Sequence, residues 1–409
     1  MIKPAKLVIM GGCGHVGLPL GIVFASCGVS VVLLDIDEKK VALVNSGHMP
    51  FMEKDAEDHL SRVIGNSLTA TVDSSCLRDA DAVIAVVGTP VDEHLNPTAA
   101  DLYRNIDSAI EILPDNALFV LRSTVYPGIT KLVYERVQSR GRRIHVAFCP
   151  ERIAEGKAME EIRELPQIIS AFDPEALGRA RALFSIINPD LIELTPPEAE
   201  LAKLFTNSWR YLNFAISNQF YLLAQSCGLD FYRIYDAVTR RYPRMKSFAR
   251  AGFAAGPCLL KDTLQLSAFS GNSFFLGHAA MLVNEGLPNF VVSQLRKSDL
   301  RNKTVAILGM AFKGDSDDKR ESLSYKLRKL LVLEAKEVLC TDPYVQDDAF
   351  VPLQKAVQRA DIVVLGAPHS VYHSLEIPPE KEVVDVWGLW HGRQVPELLA
   401  ATAAGHSAL

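Results

Sequence analysis

Apolar residues in this chain gather into short unbroken runs instead of alternating with polar ones. "KLVIMGG" (6–12), "VVLLDID" (31–37, closing on Asp35) and "DADAVIAVVGTP" (79–90) each place at least four apolar residues in a row beside glycine, aspartate or proline. Such a run, bounded by turn residues, predicts a strand buried on both faces, as in a parallel sheet. The same order returns near the end in "KTVAILGMAF" (303–312), "EVLCTDPY" (337–344) and "RADIVVLGAP" (359–368), with Asp342 in the place of Asp35. The expected fold class is therefore α/β, with two Rossmann-like, doubly wound domains.

Between these halves the period lengthens. From Glu198 to Cys227 there is neither Gly nor Pro, Thr195 stands three residues before Glu198, and Pro196 and Pro197 fill the first helical positions. This is a capping box leading into one helix. About 30 residues make a rod of roughly 45 Å, more than most single domains need. A connector or the spine of a symmetric homodimer is expected, since apolar surface on so long a helix calls for a partner.

Composition narrows the class. With 409 residues, 48% of them hydrophobic, the chain can build two or three substantial cores. Its 43 basic and 48 acidic residues leave a formal charge of -5, with no long block of either sign. That argues against nucleic acid or an anionic membrane as partner. The start runs straight into a strand, with no signal-peptide core and no spanning stretch, so a cytoplasmic location is the expectation. Seven cysteines, an odd number with no CxxC pair, suggest neither a zinc site nor a disulfide framework.

The first chemical signal is "GGCGHVG" (11–17), where Gly12, Gly14 and Gly17 stand in GxGxxG register between strand and helix. Such a turn brings a pyrophosphate close to the backbone at a helix N-terminus. Asp35, 18 residues after Gly17, can bond a ribose diol and would repel a 2'-phosphate, which favours NAD over NADP. Further candidates follow apolar runs, where a parallel sheet opens its ligand crevice: Thr89 in "VVGTP", Thr124 in "LRSTVYPG" and Glu151 in "FCPERIAEG". Lys203 and Asn207 share a helix face and can hold an oxyanion or a water. In "GFAAGPCLLKDT" (252–263), Cys258 precedes Asp262 by four residues, and taken alone it reads as a buried hydrophobe, a metal ligand or a nucleophile.

Seven pieces in order carry a resemblance across essentially the whole chain: the GxGxxG opening, "GTP", "STVYPG", "PERIAEG", "EAELAKLFTNSWRYLN", "GPCLLKD" and "GMAFKGDSDDKRES". Together they resemble the UDP-glucose/GDP-mannose dehydrogenase family, nucleotide-sugar 6-dehydrogenases that oxidise a sugar CH2OH to a carboxylate in two NAD-dependent steps. The resemblance implies an NAD-binding Rossmann domain at 1–195, a central helical dimerisation domain with the cysteine loop at 196–297, and a nucleotide-sugar-binding Rossmann-like domain at 298–409. It makes Cys258 the nucleophile, Lys203 and Asn207 the stabilisers of an alkoxide, and Asp262 and Glu151 the managers of proton and water, with Thr124 beside them. A thiolate suits this task because its adduct with an aldehyde can give up a second hydride and leave a thioester for water to cleave.

By the same resemblance His15, Val16, Thr89, Thr124, Glu155 and Arg320 join the glycines and Asp35 around NAD, while Arg152, Arg244, Gly256, Lys313 and Trp387 join Glu151, Lys203 and Asn207 around the substrate. The second α/β half lacks GxGxxG and is not expected to hold NAD. Two positions depart from the family pattern. Gly256-Pro257 stands where a glycine pair is usual, and Trp387 stands where many relatives carry a substrate-binding arginine. The expected substrate is a UDP-linked hexose or acetamidohexose oxidised at C6. "RYPRMKSF" with Arg244 leans toward N-acetylhexosamines and "CLLKDT" toward glucose. A two-electron dehydrogenase that stops at the aldehyde, and a non-catalytic nucleotide-sugar-binding homologue, are the alternatives.

Overall fold

The apolar runs of the first half line up as neighbouring strands. The computed structural model describes residues 4–88, 99–253 and 256–392, and the chain divides into two compact units, Met1–Thr206 and Asn207–Leu409. In the first, β1 (Leu7–Met10), β2 (Val31–Leu34), β3 (Leu68–Thr71), β4 (Ala82–Ala85), β5 (Leu118–Leu121), β6 (His145–Phe148), β7 (Gln167–Ala171) and β8 (Leu191–Leu194) form an eight-stranded sheet. Its order is β3-β2-β1-β4-β5-β6-β7-β8. The first six follow the doubly wound order that opens a ligand crevice at the carboxyl edge beside β1. β1 lies between β2 and β4, with Leu7 level with Val31 and Ala82. Leu7 and Ile9 enter the core on one face while Val8 and Met10 enter the core on the other. That is why the run is apolar without alternation.

β7 was not legible as a departure from this pattern: it pairs antiparallel with β6 through Ala147–Ala171 and Phe148–Ser170. The helix after the glycine turn, α1 (Gly17–Ser26), is buried from Gly17 to Ala25 and accordingly carries no charge.

The long helix is continuous. α2 (Pro196–Ser226) has 31 residues, about 46 Å at 1.5 Å per residue, and the unit boundary falls within it. The Glu198 side chain reaches back to the helix start as the capping box requires, accepting from the Thr195 N–H at 2.8 Å and from its hydroxyl at 2.7 Å. Glu200 accepts from the N–H groups of Gly128 (2.7 Å) and Thr130 (2.9 Å). This bond pair fastens the start of α2 to the loop after β5.

In the second unit, α3 (Leu259–Phe269) and α4 (Phe275–Leu295) share a small core with α2 through Tyr211, Leu259 and Ala280. β9 (Thr304–Leu308), β10 (Glu337–Thr341), β11 (Ile362–Leu365) and β12 (Glu382–Val384) form a parallel sheet in the order β10-β9-β11-β12. Asp342 ends β10 beside β9 as Asp35 follows β2 beside β1. Among the described residues, no helix is long and apolar enough to cross a membrane.

Candidate active site

Within the first unit the glycine turn is built by close approach. A Cβ on Gly12 would lie 2.7 Å from both the Ile9 carbonyl oxygen and the Leu33 Cβ, and one on Gly17 would lie 2.5 Å from the Gly11 carbonyl oxygen. Gly14 differs. Its nearest neighbour would be 3.5 Å away, so this is the open side of the turn. Val16 offers no side-chain cap to α1, which leaves the helix start to an incoming anion. The Asp35 carboxylate is drawn against the turn, accepting from the N–H of Cys13 at 2.9 Å and of Asp37 at 3.1 Å. The His15 ring lies over Phe51, with centroids 4.0 Å apart.

The loops after β5 and β6 meet through a buried ion pair. Glu151, 7% exposed, faces the fully buried Arg122. Arg122 donates to Glu151 Oε2 through Nε at 2.8 Å and also through Nη2, and it reaches Gln167 at 3.0 Å. Glu151 Oε1 accepts the N–H of Arg152 and of Ile153 at 2.7 and 3.1 Å. This geometry makes Glu151 the clamp of its own turn. Arg152 donates to the Pro166 carbonyl. Thr124 is half-buried on the loop after β5, where Ser123 ties to the Val87 carbonyl at 2.6 Å. Glu155 is half-buried one residue before Gly156, whose N–H Glu53 accepts at 2.8 Å. Thr89 lies outside the described residues. Lys203 and Asn207 are 9% and 3% exposed, one turn apart on α2.

The second unit holds the candidate thiol, Cys258. Cys258 is the exposed N-cap residue of α3, where the helix dipole favours negative charge. Asp262, one turn on, is fully enclosed. It accepts from Asn207 Nδ2 at 2.5 Å on Oδ2 and pairs with Lys261 at 3.0 Å on Oδ1. Gly256 is required twice over: its φ is +101°, and a Cβ there would lie 2.7 Å from the Phe312 ring. Phe312 thus seats the "AFKG" loop against the cysteine loop, and the Lys313 ammonium stands 5.6 Å from the same ring.

Trp387 covers Gly252, where any Cβ would collide with the indole, and donates to the Gly366 carbonyl at 3.0 Å. Asn218 brackets Gly252, donating to its carbonyl at 3.0 Å and accepting its N–H at 2.8 Å. Arg320 is held by Asp318 through Nε at 2.9 Å and Nη2 at 2.6 Å, with its side chain 53% exposed. Arg244 lies on the exposed turn Pro243–Met245, over the Tyr242 ring at 5.5 Å. The structure so gathers Asn207, Gly256, Cys258, Asp262 and Lys313 through shared neighbours, while the Arg244 guanidinium faces Tyr242.

Three family models match in succession. All are of the UDP-glucose/GDP-mannose dehydrogenase family: its NAD binding domain over residues 5–188, its central domain over 197–285 and its UDP binding domain over 306–392. The chain belongs to this family. The UDP-N-acetyl-D-mannosamine dehydrogenase of Pyrococcus horikoshii is 30% identical over 377 residues, 89% of this chain and 90% of that one. A protein of the same name from Methanocaldococcus jannaschii is 31% identical over 378 residues, 91% of this chain and 87% of its own length. Among solved structures, a UDP-glucose dehydrogenase from Pyrobaculum islandicum superposes with a TM-score of 0.89 at 28% identity, covering 97% of this chain and 98% of that one.

As a family member the protein is an oxidoreductase, an NAD-dependent nucleotide-sugar dehydrogenase. The residues of its first unit fit NAD. The open side of the turn at Gly14 and the uncapped start of α1 suit a pyrophosphate, and the Asp35 carboxylate suits a ribose diol. Sequence reading missed Arg122 and Asn218. Arg122 stands inside the quoted "LRSTVYPG", but its partner is 29 residues away. Asn218 lies 34 residues from Gly252, and nothing in its local sequence marks it.

Proposed function

We propose that the protein oxidises the C6 alcohol of a UDP-linked hexose or acetamidohexose to the uronate, with Cys258 as covalent nucleophile. One observation carries the reading: an exposed thiol at a helix start, one turn from an enclosed carboxylate that α2 holds through Asn207. NAD, when bound, accepts a hydride at each of the two dehydrogenations.

In this reading the Cys258 thiolate adds to the aldehyde carbonyl, and the resulting oxyanion meets the Lys203 ammonium and the second amide hydrogen of Asn207. Asp262 takes the proton and orients the water that cleaves the thioester, which frees the acid and restores the thiol. Glu151 shapes the turn that, with Thr124 and Arg152, lines the crevice. Lys313 and Gly256 receive the nucleotide sugar, helped by Arg244 and Trp387. Thr89, Glu155, His15 and Arg320 border the cofactor.

The relatives support both sugar classes, since some are named for UDP-N-acetyl-D-mannosamine and one for UDP-glucose; the acetamido sugar is the favoured one. We also propose that the division at 1–195, 196–297 and 298–409 is the functional one, and that α2 forms the centre of a homodimer. Competition between UDP-glucose, UDP-N-acetylglucosamine and UDP-N-acetylmannosamine at equal concentration tests the substrate. An acetamido sugar is expected to be consumed first; a strong preference for a GDP-sugar, or no oxidation of any UDP-sugar, would overturn the reading.

A further inference from the structure

Behind the loop that carries Lys313 lies a histidine with no contact to solvent. His369 follows β11 and is 0% exposed. Its Nδ1 accepts the backbone N–H of Asp315 at 2.9 Å, and its Nε2 lies 3.1 Å from Asp342 Oδ2. One tautomer satisfies both bonds. A ring nitrogen that accepts a peptide N–H carries no proton, so the proton is on Nε2 and is donated to Asp342.

Asp342 is itself an organising anion. Oδ2 accepts from the N–H groups of Met310 and Ala311 at 2.6 and 3.0 Å, and Oδ1 from those of Tyr344 and Val345 at 2.8 Å each. Burial would raise this carboxyl, but the His369 bond and the N–H groups of Val345 and Tyr344 outweigh it and hold Asp342 below the usual carboxylate range. In the first unit the matching Asp35 accepts from the glycine turn at Cys13; here the matching aspartate is closed by an imidazole.

The loop is fixed at two further points. Asp315 sits at a φ of 52° and its carboxylate accepts the Ser370 N–H at 2.7 Å. Gly314 presses on Pro368, whose carbonyl oxygen leaves no space for a Cβ. Lys313 is the residue immediately before this fixed pair.

We infer that His369 is a positioning residue for recognition of the nucleotide sugar: as a neutral imidazole it locks the Asp315 peptide and thereby sets the backbone that presents Lys313. The inference rests on the proposed role of Lys313 in holding that substrate. The groups facing the ring are the Asp342 carboxylate, the Asp315 peptide with its carboxylate turned to Ser370, and the edge-on rings of Tyr344 and Tyr372 at 5.1 and 5.5 Å. Burial, aided by the charge of Asp342, pushes the Tyr372 hydroxyl far up, so it stays neutral.

Two substitutions separate the ring atoms. Asparagine offers an acceptor near the Nδ1 position, whereas glutamine offers a donor near Nε2. UDP binding by calorimetry is expected to weaken about tenfold in His369→Gln, with NAD binding unchanged, and to stay within about threefold of the parent in His369→Asn. Amide hydrogen exchange across 311–318 should accelerate in the Gln variant and not in the Asn variant. Wild-type UDP affinity in His369→Gln, or equal loss in both variants, would overturn the inference. Should the Gln variant fail to fold, Asp315→Ala loosens the same loop from its exposed side and should weaken UDP binding in the same direction; unchanged affinity would count against the inference. If the parent itself binds no UDP, the nucleotide-sugar reading fails, while the exchange comparison still decides whether His369 fixes the loop.

Discussion

Seven thiols that look alike in sequence occupy different electrostatic surroundings. Burial, aided by Asp35, pushes the Cys13 thiol up to about 12, and burial raises Cys149 to about 12 and Cys340 to about 11. Cys227 and Cys258 are exposed, the first just past the C-terminus of α2 and the second at the N-terminus of α3. At pH 8 a thiol reagent should therefore label Cys227 and Cys258 in the native protein and spare Cys13, Cys149 and Cys340 until unfolding; early labelling of the buried three would refute this. Since these three titrate higher folded than unfolded, the stability they lend is complete below the ordinary thiol range and declines as pH rises toward 12. Arg122→Met should lower stability by roughly 3–5 kcal/mol, because it strands Glu151 in the interior. Thermal or urea unfolding measures this, and a loss under about 1 kcal/mol would show that the pair is not a clamp. The glycine turn was legible, and Cys258 stood out as a candidate, because each sits in a short string. Arg122, Asn218 and His369 were not, because each acquires its role from a partner 29, 34 or 54 residues away.

At the scale of elements, α2 was legible from end to end, since caps and the absence of Gly and Pro are local properties. The antiparallel β7 was not, because strand direction is settled by the path of the chain between strands and leaves no trace in four or five residues. Trp209, Ile216, Phe220 and Leu223 on α2 are 60%, 46%, 48% and 54% exposed, an apolar stripe at helical spacing that a dimer would cover. Replacing both Trp209 and Phe220 by Glu should convert a dimer to a monomer in light scattering at micromolar concentration; a parent protein that is already monomeric would contradict the proposed assembly. Gly256→Ala imposes strain at a φ of +101° and drives a methyl toward Phe312, about 1–3 kcal/mol by backbone strain alone. Its kcat/KM for the nucleotide sugar should fall at least about tenfold, and an unchanged value would detach Gly256 from the site.

Over the whole molecule, two α/β halves that echo each other in sequence have taken different work. One follows β2 with an aspartate that accepts from the glycine turn; the other follows β10 with an aspartate closed by His369. The echo was legible, but the closure depends on side chains brought together by the fold. Asp35 should make NAD better than NADP by about tenfold or more in kcat/KM, on the order of 1.4 kcal/mol. Comparable rates with the two cofactors would contradict that assignment. The central claim is that one site carries an alcohol to an acid through Cys258, and the most direct measurement of it counts NADH formed per UDP-sugar consumed, in the parent and in Cys258→Ala. Two NADH per sugar, with net acid formation lost in the variant while NAD and UDP still bind, is the predicted result; one NADH per sugar in the parent, or two in the variant, would contradict the account.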